Sequence, residues 1–258
     1  MSKLQHLLLE YPQGIVYTSK WLRAQGYSDE LLNRYKKSRW FESVGRRVMI
    51  RRGDRISWPG LVHTLQHQLG LQVHPGGRTA LHLHGASHYG YRNPPSQWLF
   101  GSDVDKIPKW VFNDDWNTEF KTSDRPLLPR GFQIETQSYH GFDLQIPTEE
   151  RALLEYLSHV PYDHGLHDAM EQVETCAFLQ AEKIQSLLEN CPIHSVKRLL
   201  LFLAEQSDSV WLKQLNIANI DLGKELINYV VNEDETPYFV NKYHIVVPDD
   251  LLGEDRFL

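Results

Sequence analysis

The sequence is short of several things, and each shortage excludes a class. It has two cysteines, Cys176 and Cys191, in 258 residues. Two thiols cannot build a disulfide framework, so the small disulfide-stapled secreted class is excluded. The pair reads as reduced, partly buried thiols in a cytoplasmic protein. No run approaches the ~18 consecutive apolar residues of a membrane span. The most apolar stretch, residues 199–203, is flanked by Lys197, Arg198 and Glu205. The N-terminal MSKLQHLLLEYPQG has no sustained apolar segment and no small-residue cleavage site, so it does not read as a secretion signal. There is no Walker loop, no GxGxxG and no GxSxG, which removes the common phosphate, dinucleotide and serine-hydrolase signatures. Internal repeats and low-complexity tracts are absent. With 41% hydrophobic and 23% charged residues, the composition is that of a globular chain rather than a disordered or coiled-coil one.

Charge is present but unevenly placed. The net value is −6, which by itself argues against a polyanion partner. Residues 1–60 hold 12 basic residues against 5 acidic ones, a net of +7. The remainder has 27 − 12 = 15 basic and 33 − 5 = 28 acidic residues, a net of −13. A basic head on an acidic body points to a polyanion for the head. The plainer account is a cluster of charge on a solvated face.

The head has an ordered pattern. Leu4, Leu7 and Leu8 have helical spacing, and Pro12 and Gly14 stop that helix. Thr18 or Ser19 caps a short helix with Trp21, Leu22 and Ala24 inside, ended by Gly26. Ser28 caps a third helix, with Asp29 and Glu30 in its first turn and Leu31, Leu32 and Tyr35 on its buried stripe. Then the period changes. Residues 41–44 and 48–50 read as a hairpin around Gly45-Arg46-Arg47. Three helices and a hairpin are the layout of a winged helix-turn-helix. Further on, helices are expected at 57–70, 79–84, 151–157, 169–190, 194–206 and 208–215. Strands are expected at 97–100, 110–112, 133–137, 142–146 and 243–247. The fold class is therefore α+β: a winged helix over 1–56 followed by a larger α/β domain over 57–258.

Candidate chemistry lies mainly in the head. A helix that reads the major groove needs short polar and basic side chains on its exposed face. Ser28, Asn33, Arg34, Lys36 and Lys37 meet that need, with Arg39 just beyond. Asn and Arg make bidentate contacts with base edges, whereas Lys mostly meets phosphate. Arg46 and Arg47 at the wing, with Arg51 behind it, are placed to reach backbone or a minor groove. Thr18, Ser19 and Lys20 open the preceding helix and are candidates for phosphate contact.

Two other constellations are weaker. His82, His84 and His88 in HLHGASH, and His164, His167 and Asp168 in DHGLHD, contain a possible metal pair. Gly85 interrupts the spacing, and packed or surface imidazoles are the simpler account. Asp103, Asp105, Asp114, Asp115, Glu119 and Lys121 contain the carboxylate and lysine types of a metal-dependent nuclease. Their context reads as a polar loop rather than a rigid strand. Neither set calls for a metal or a cofactor. Two rivals to a non-enzymatic DNA binder stay open: a DNA-targeted nuclease, and an adaptor whose acidic body binds a basic protein.

Residues 34–55, RYKKSRWFESVGRRVMIRRGDR, resemble the end of the winged-helix head in AbiEi-type antitoxins, through Trp40, Phe41, Val44, Gly45, Gly53 and Asp54. The next block resembles the same family through Trp58, Leu65, Gly70, Gly76, Gly77 and Thr79. The tail does so through Lys242, Tyr243 and Pro248. Arg39 and Arg47 depart from the pattern, since the family usually carries glycine there. The resemblance implies an antitoxin of a bacterial type IV toxin–antitoxin system. Its head would bind inverted repeats of double-stranded DNA in its own promoter and repress it. Its body would counter a nucleotidyltransferase toxin without requiring a stable complex. Separately from the resemblance, the chain is expected to be monomeric in solution.

Overall fold

The computed structural model describes residues 2–86, 96–113 and 116–252. The chain forms two compact units. The first comprises Met1–Pro75, Pro94–Arg125 and Ile134–Ile146, and the second Gly76–Asn93, Pro126–Gln133 and Pro147–Leu258.

The first unit opens with α1 (Lys3–Glu10). Ser2 and Gln5 form a reciprocal cap there, at 3.2 and 2.9 Å, which satisfies two of the orphan amides of the first turn. Then come β1 (Tyr17–Thr18), α2 (Ser19–Ala24) and α3 (Asp29–Lys37). Thr18 Oγ1 accepts from the Trp21 amide and Ser28 Oγ from the Leu31 amide, both at 3.3 Å. The head closes with β2 (Phe41–Gly45) and β3 (Val48–Arg51) in an antiparallel sheet of order β1-β3-β2. Leu7, Leu22, Leu32, Phe41 and Met49 are buried between helices and sheet. Tyr17 and Phe41 meet edge to face at 5.5 Å. This is the winged-helix arrangement that the spacing predicts.

The boundary at 56/57 does not coincide with a division between compact units. α4 (Trp58–His63) continues into a π-helical turn, Thr64–Gln68, rather than one regular helix to residue 70. Thr64 Oγ1 and Gln68 Nε2 both donate to the Val16 carbonyl, at 2.9 and 2.7 Å. Gln68 Oε1 accepts from the Thr18 amide at 2.9 Å. These bonds tie residues 57–68 to the winged helix. α4 also approaches so closely that a Cβ on Gly60 would stand 1.9 Å from the Gly14 carbonyl oxygen. Only glycine permits that approach.

A second sheet of order β4-β5-β6 uses β4 (His74–Pro75), β5 (Ser96–Phe100) and β6 (Glu119–Ser123). β7 (Ile134–Tyr139) and β8 (Phe142–Pro147) form a hairpin. Glu119–Lys121, expected in a loop, is thus strand. It pairs in parallel with β5, Gln97 opposite Phe120, and a distant parallel partner leaves no local signature. The strand expected at 110–112 is instead a 3-10 turn, Lys109–Phe112.

The second unit is built around α9 (His194–Gln206), in which Leu199, Leu200, Leu201, Phe202, Leu203 and Ala204 are all buried. α5 (Arg78–Leu83), α6 (Glu149–Leu157), α7 (Leu166–Thr175) and α8 (Ala181–Asn190) complete its helices among the described residues. The single helix expected at 169–190 is two. Leu179, in the break, is buried against the core, and the turn at 176–180 lets α8 fold back. The segment at 208–215 is 3-10 at Val210–Gln214. β9 (Ile227–Asn228), β10 (Pro237–Val240) and β11 (Ile245–Pro248) form a sheet of order β10-β11-β9.

The second unit also contains a buried ion pair. Arg151 Nε donates to Glu155 Oε1 at 2.8 Å, one helical turn along α6. The other carboxylate oxygen accepts from the Gly77 amide at 3.3 Å. Arg151 also donates to the Phe132 carbonyl.

Candidate nucleic-acid interface

The caps set the direction of α2 and α3, and burial sets their faces. On α3, Leu32 and Tyr35 are buried while Asn33, Arg34 and Lys37 are exposed and Lys36 is half-buried. Asn33 and Lys37 are one turn apart, and Arg34 follows beside them, so the three share the solvent face. Arg46 and Arg47 are exposed at the turn between β2 and β3. The Ser19 amide donates to the Arg47 carbonyl at 2.8 Å. That bond holds the start of α2, and with it the exposed Lys20, against the wing turn.

Two arginines occupy left-handed backbone: Arg39 at φ 60° and Arg47 at φ 64°. These are the two positions where the resemblance puts glycine. Arginine there costs about 1–2 kcal/mol over an ordinary conformation. Both side chains are exposed, so the strain is not offset by burial.

Several expected DNA-binding residues have other duties. Arg51 is buried, not on the basic surface. One of its terminal nitrogens donates to the Leu7 carbonyl at 2.9 Å and to the Tyr11 carbonyl at 2.6 Å. Its guanidinium lies 5.6 Å from the Tyr17 ring centroid. It is a clasp between β3 and the end of α1, because β3 is buried along its whole length. Thr18 and Ser19 are buried as well, and the Thr18 hydroxyl is used as a cap. The Ser28 hydroxyl caps α3 in the same way. Glu30's carboxyl is held below its ordinary range by its own backbone amide and by Ser28. The N-terminal turn of α3 is thus occupied by acid, and the basic groups lie toward its C-terminal half.

Sequence reasoning passed over Arg52 and Arg55, both exposed, and Trp40, 50% exposed. The Arg52 amide donates to the Trp40 carbonyl at 3.0 Å, which places Arg52 beside the end of α3. The available signal was charge alone: Arg52 and Arg55 belong to the basic cluster of the first 60 residues.

The weaker constellations come apart. Asp114, Asp115 and His88 lie outside the described residues. Lys121 stands 5.5 Å from the Trp98 ring centroid. His84 meets the Pro147 carbonyl at 2.8 Å, His164 stacks on Tyr156 at 4.2 Å, and His167 reaches Asp250 at 3.6 Å. Among the described residues no three metal-ligating side chains converge. Burial pushes the Cys176 thiol up to about 12 and raises that of Cys191 too, so neither is an activated nucleophile. No described helix is long and apolar enough to cross a membrane.

A winged helix-turn-helix with a basic wing and a basic third helix, joined to a larger α/β body, defines a class: transcriptional regulators that carry a second functional domain. Residues 1–90 match the model of the transcriptional regulator AbiEi antitoxin N-terminal domain. Residues 95–248 match that of the transcriptional regulator AbiEi antitoxin of type IV toxin–antitoxin systems. The chain belongs to this AbiEi antitoxin family. No curated protein matches it. The crystal structure of the RV2827C protein from Mycobacterium tuberculosis has a TM-score of 0.60 at 13% identity, covering 94% of this chain and 89% of that one. At that identity the likeness is one of fold. The family is one of antitoxins and transcriptional regulators.

Proposed function

We propose that this antitoxin is a DNA-binding autorepressor acting in the cytoplasm. Its head, residues 1–56, contacts double-stranded operator DNA at inverted repeats in its own promoter, through Asn33, Arg34 and Lys37 on α3. Lys20, Lys36, Arg39, Arg46 and Arg47 supply phosphate and groove contacts. The body counters a nucleotidyltransferase toxin, and no stable complex with that toxin is required. The nuclease and adaptor readings gain no observation in their favour.

One observation carries the DNA reading. Arg39 and Arg47 hold strained left-handed backbone at exposed positions. Five other described non-glycine residues share this backbone, so the distinguishing feature is what arginine, in place of glycine, brings there. What the two positions add is positive charge beside α3 and at the wing tip.

The test uses opposite signs. Arg39→Gly and Arg47→Gly are each expected to stabilise the first unit by about 1 kcal/mol, because glycine adopts the conformation freely. Each is expected to weaken binding to a duplex carrying the chain's own promoter, and to lower the salt slope by about 0.9 for each phosphate that is no longer neutralised. Thermal melting and fluorescence anisotropy at several salt concentrations give both readouts on the same sample. Higher stability with unchanged DNA affinity would mean that the arginines do not touch DNA.

A further inference from the structure

Trp40 is fixed at its backbone and exposed at its ring. α3 ends in a closed turn, in which the Arg39 amide donates to the Lys36 carbonyl and the Trp40 amide to the Tyr35 carbonyl, both at 3.0 Å. The left-handed backbone of Arg39 closes that turn. The Trp40 carbonyl then accepts from the Arg52 amide at 3.0 Å. Both backbone polar groups of Trp40 are therefore used, one on the helix and one at the base of the wing.

The ring has no such partner. In this kind of turn the residue after the left-handed one often packs back onto the helix residue whose carbonyl it meets. Here that residue, Tyr35, is already buried, with the Phe41 ring 6.2 Å from its own. Trp40 stays half exposed, and among the described residues its indole makes no hydrogen bond, ring contact or cation contact. Cations stand around it. Lys37 and Arg39 precede it and Arg52 lies beside it, all three exposed. Of the nearest acids, Asp54 is turned away to accept from the Gly14 amide at 3.1 Å, and Glu42 is exposed on β2.

We propose that Trp40 is an apolar contact to duplex DNA, seated against the sugar and base edge of one nucleotide whose flanking phosphates are met by Arg39 and Arg52. This inference rests on the DNA reading above and adds to it a contact without charge. The position suits the role. With α3 in one groove and the wing at the next, a strand of sugar–phosphate backbone runs between them, and Trp40 joins the two elements. Cations take the phosphates, and an aromatic ring takes the apolar surface between them. The pinned backbone leaves only the side-chain torsions to be ordered on binding, so little of the contact is lost to entropy. An apolar contact releases no counterions, so its share of the affinity does not change with salt. That property separates Trp40 from every lysine and arginine around it.

The test uses the full-length chain and a duplex carrying its own promoter. Trp40→Ala is expected to weaken binding about tenfold, by the same factor at several salt concentrations, with the salt slope unchanged. Trp40→Phe keeps a ring and should stay within about threefold of the parent. Arg52→Ala should lower the slope by about 0.9. Hydroxyl-radical labelling of the parent chain, read by mass spectrometry, needs no variant. It should oxidise Trp40 in the free chain and spare it in the complex, while Phe178, 98% exposed in the second unit, is labelled equally in both. Equal affinity of Trp40→Ala and the parent overturns the proposal and leaves the DNA reading standing. So does a loss that shrinks as salt rises, or equal labelling of Trp40 in the free and bound chain. A parent chain that binds no duplex overturns the DNA reading, and this contact with it.

Discussion

Replacing Arg34, Lys37, Arg46 and Arg47 together by alanine is expected to reduce duplex affinity about a thousandfold at ~0.15 M salt. Each phosphate neutralised releases counterions and contributes about 0.9 to the slope of log affinity against log salt. If each of the four side chains meets one phosphate, the variant's slope is shallower by about 3.6, and the loss shrinks as salt rises. All four side chains are exposed, so the fold should survive, which circular dichroism checks. Binding isotherms at three or more salt concentrations measure both quantities. A loss of the same size at every salt concentration would contradict the electrostatic account. The same variant separates the two activities. Expressed from an unrelated promoter, it should no longer repress its own operator but should still rescue growth from the toxin. Loss of rescue in a folded variant would show that the head takes part in antitoxin action.

Glu155→Ala is expected to cost about 3–5 kcal/mol, the usual effect of removing one partner of a buried ion pair. Glu155 is 1% exposed and Arg151 7%. Without the carboxylate, the guanidinium keeps its bond to the Phe132 carbonyl, and the Gly77 amide is deprived of its acceptor. The penalty comes from leaving a charge buried without its counter-charge. Arg151→Met combined with Glu155→Leu should therefore restore much of the stability, because it removes both charges and keeps apolar volume. Urea denaturation gives the free energies. Hydrogen exchange should place the effect in α6 and α9 rather than in the winged helix. A single variant as stable as the parent chain would refute the role given to this pair.

Trp211 is the only tryptophan of the second unit; the other six belong to the first. Its ring nitrogen is buried without a hydrogen-bond partner. Its emission reports on the same core, so it offers a check on Glu155→Ala in a background where the other tryptophans are replaced.

What the sequence determined by itself was local. The caps at Thr18 and Ser28 were written in residue type, and helices begin after each of them. Helical spacing placed Leu7, Leu32 and Tyr35 inside and Asn33, Arg34 and Lys37 outside. Gly45-Arg46-Arg47 marked the wing because it separates two short strand-like runs, 41–44 and 48–50. The basic head was visible as a count. All of these depend on interactions within a few residues, where side-chain chemistry and backbone geometry are coupled directly.

Tertiary structure decided the rest. Arg51 looks like its neighbours Arg46, Arg47 and Arg52 in the sequence, but it is buried because the carbonyls of Leu7 and Tyr11 reach it from far back along the chain. β6 is a strand because β5 pairs with it in parallel, although its own residues read as a polar loop. Residues 57–68 belong with the head because Thr64 and Gln68 bond to β1 and the residue before it. The left-handed backbone at Arg39 and Arg47 was foreshadowed only by glycine in the family pattern. That exposed arginines bear this strain is set by the tertiary fold. Pairing partners far apart in the chain are chosen by shape and by the need to satisfy buried polar groups. A single sequence records neither directly.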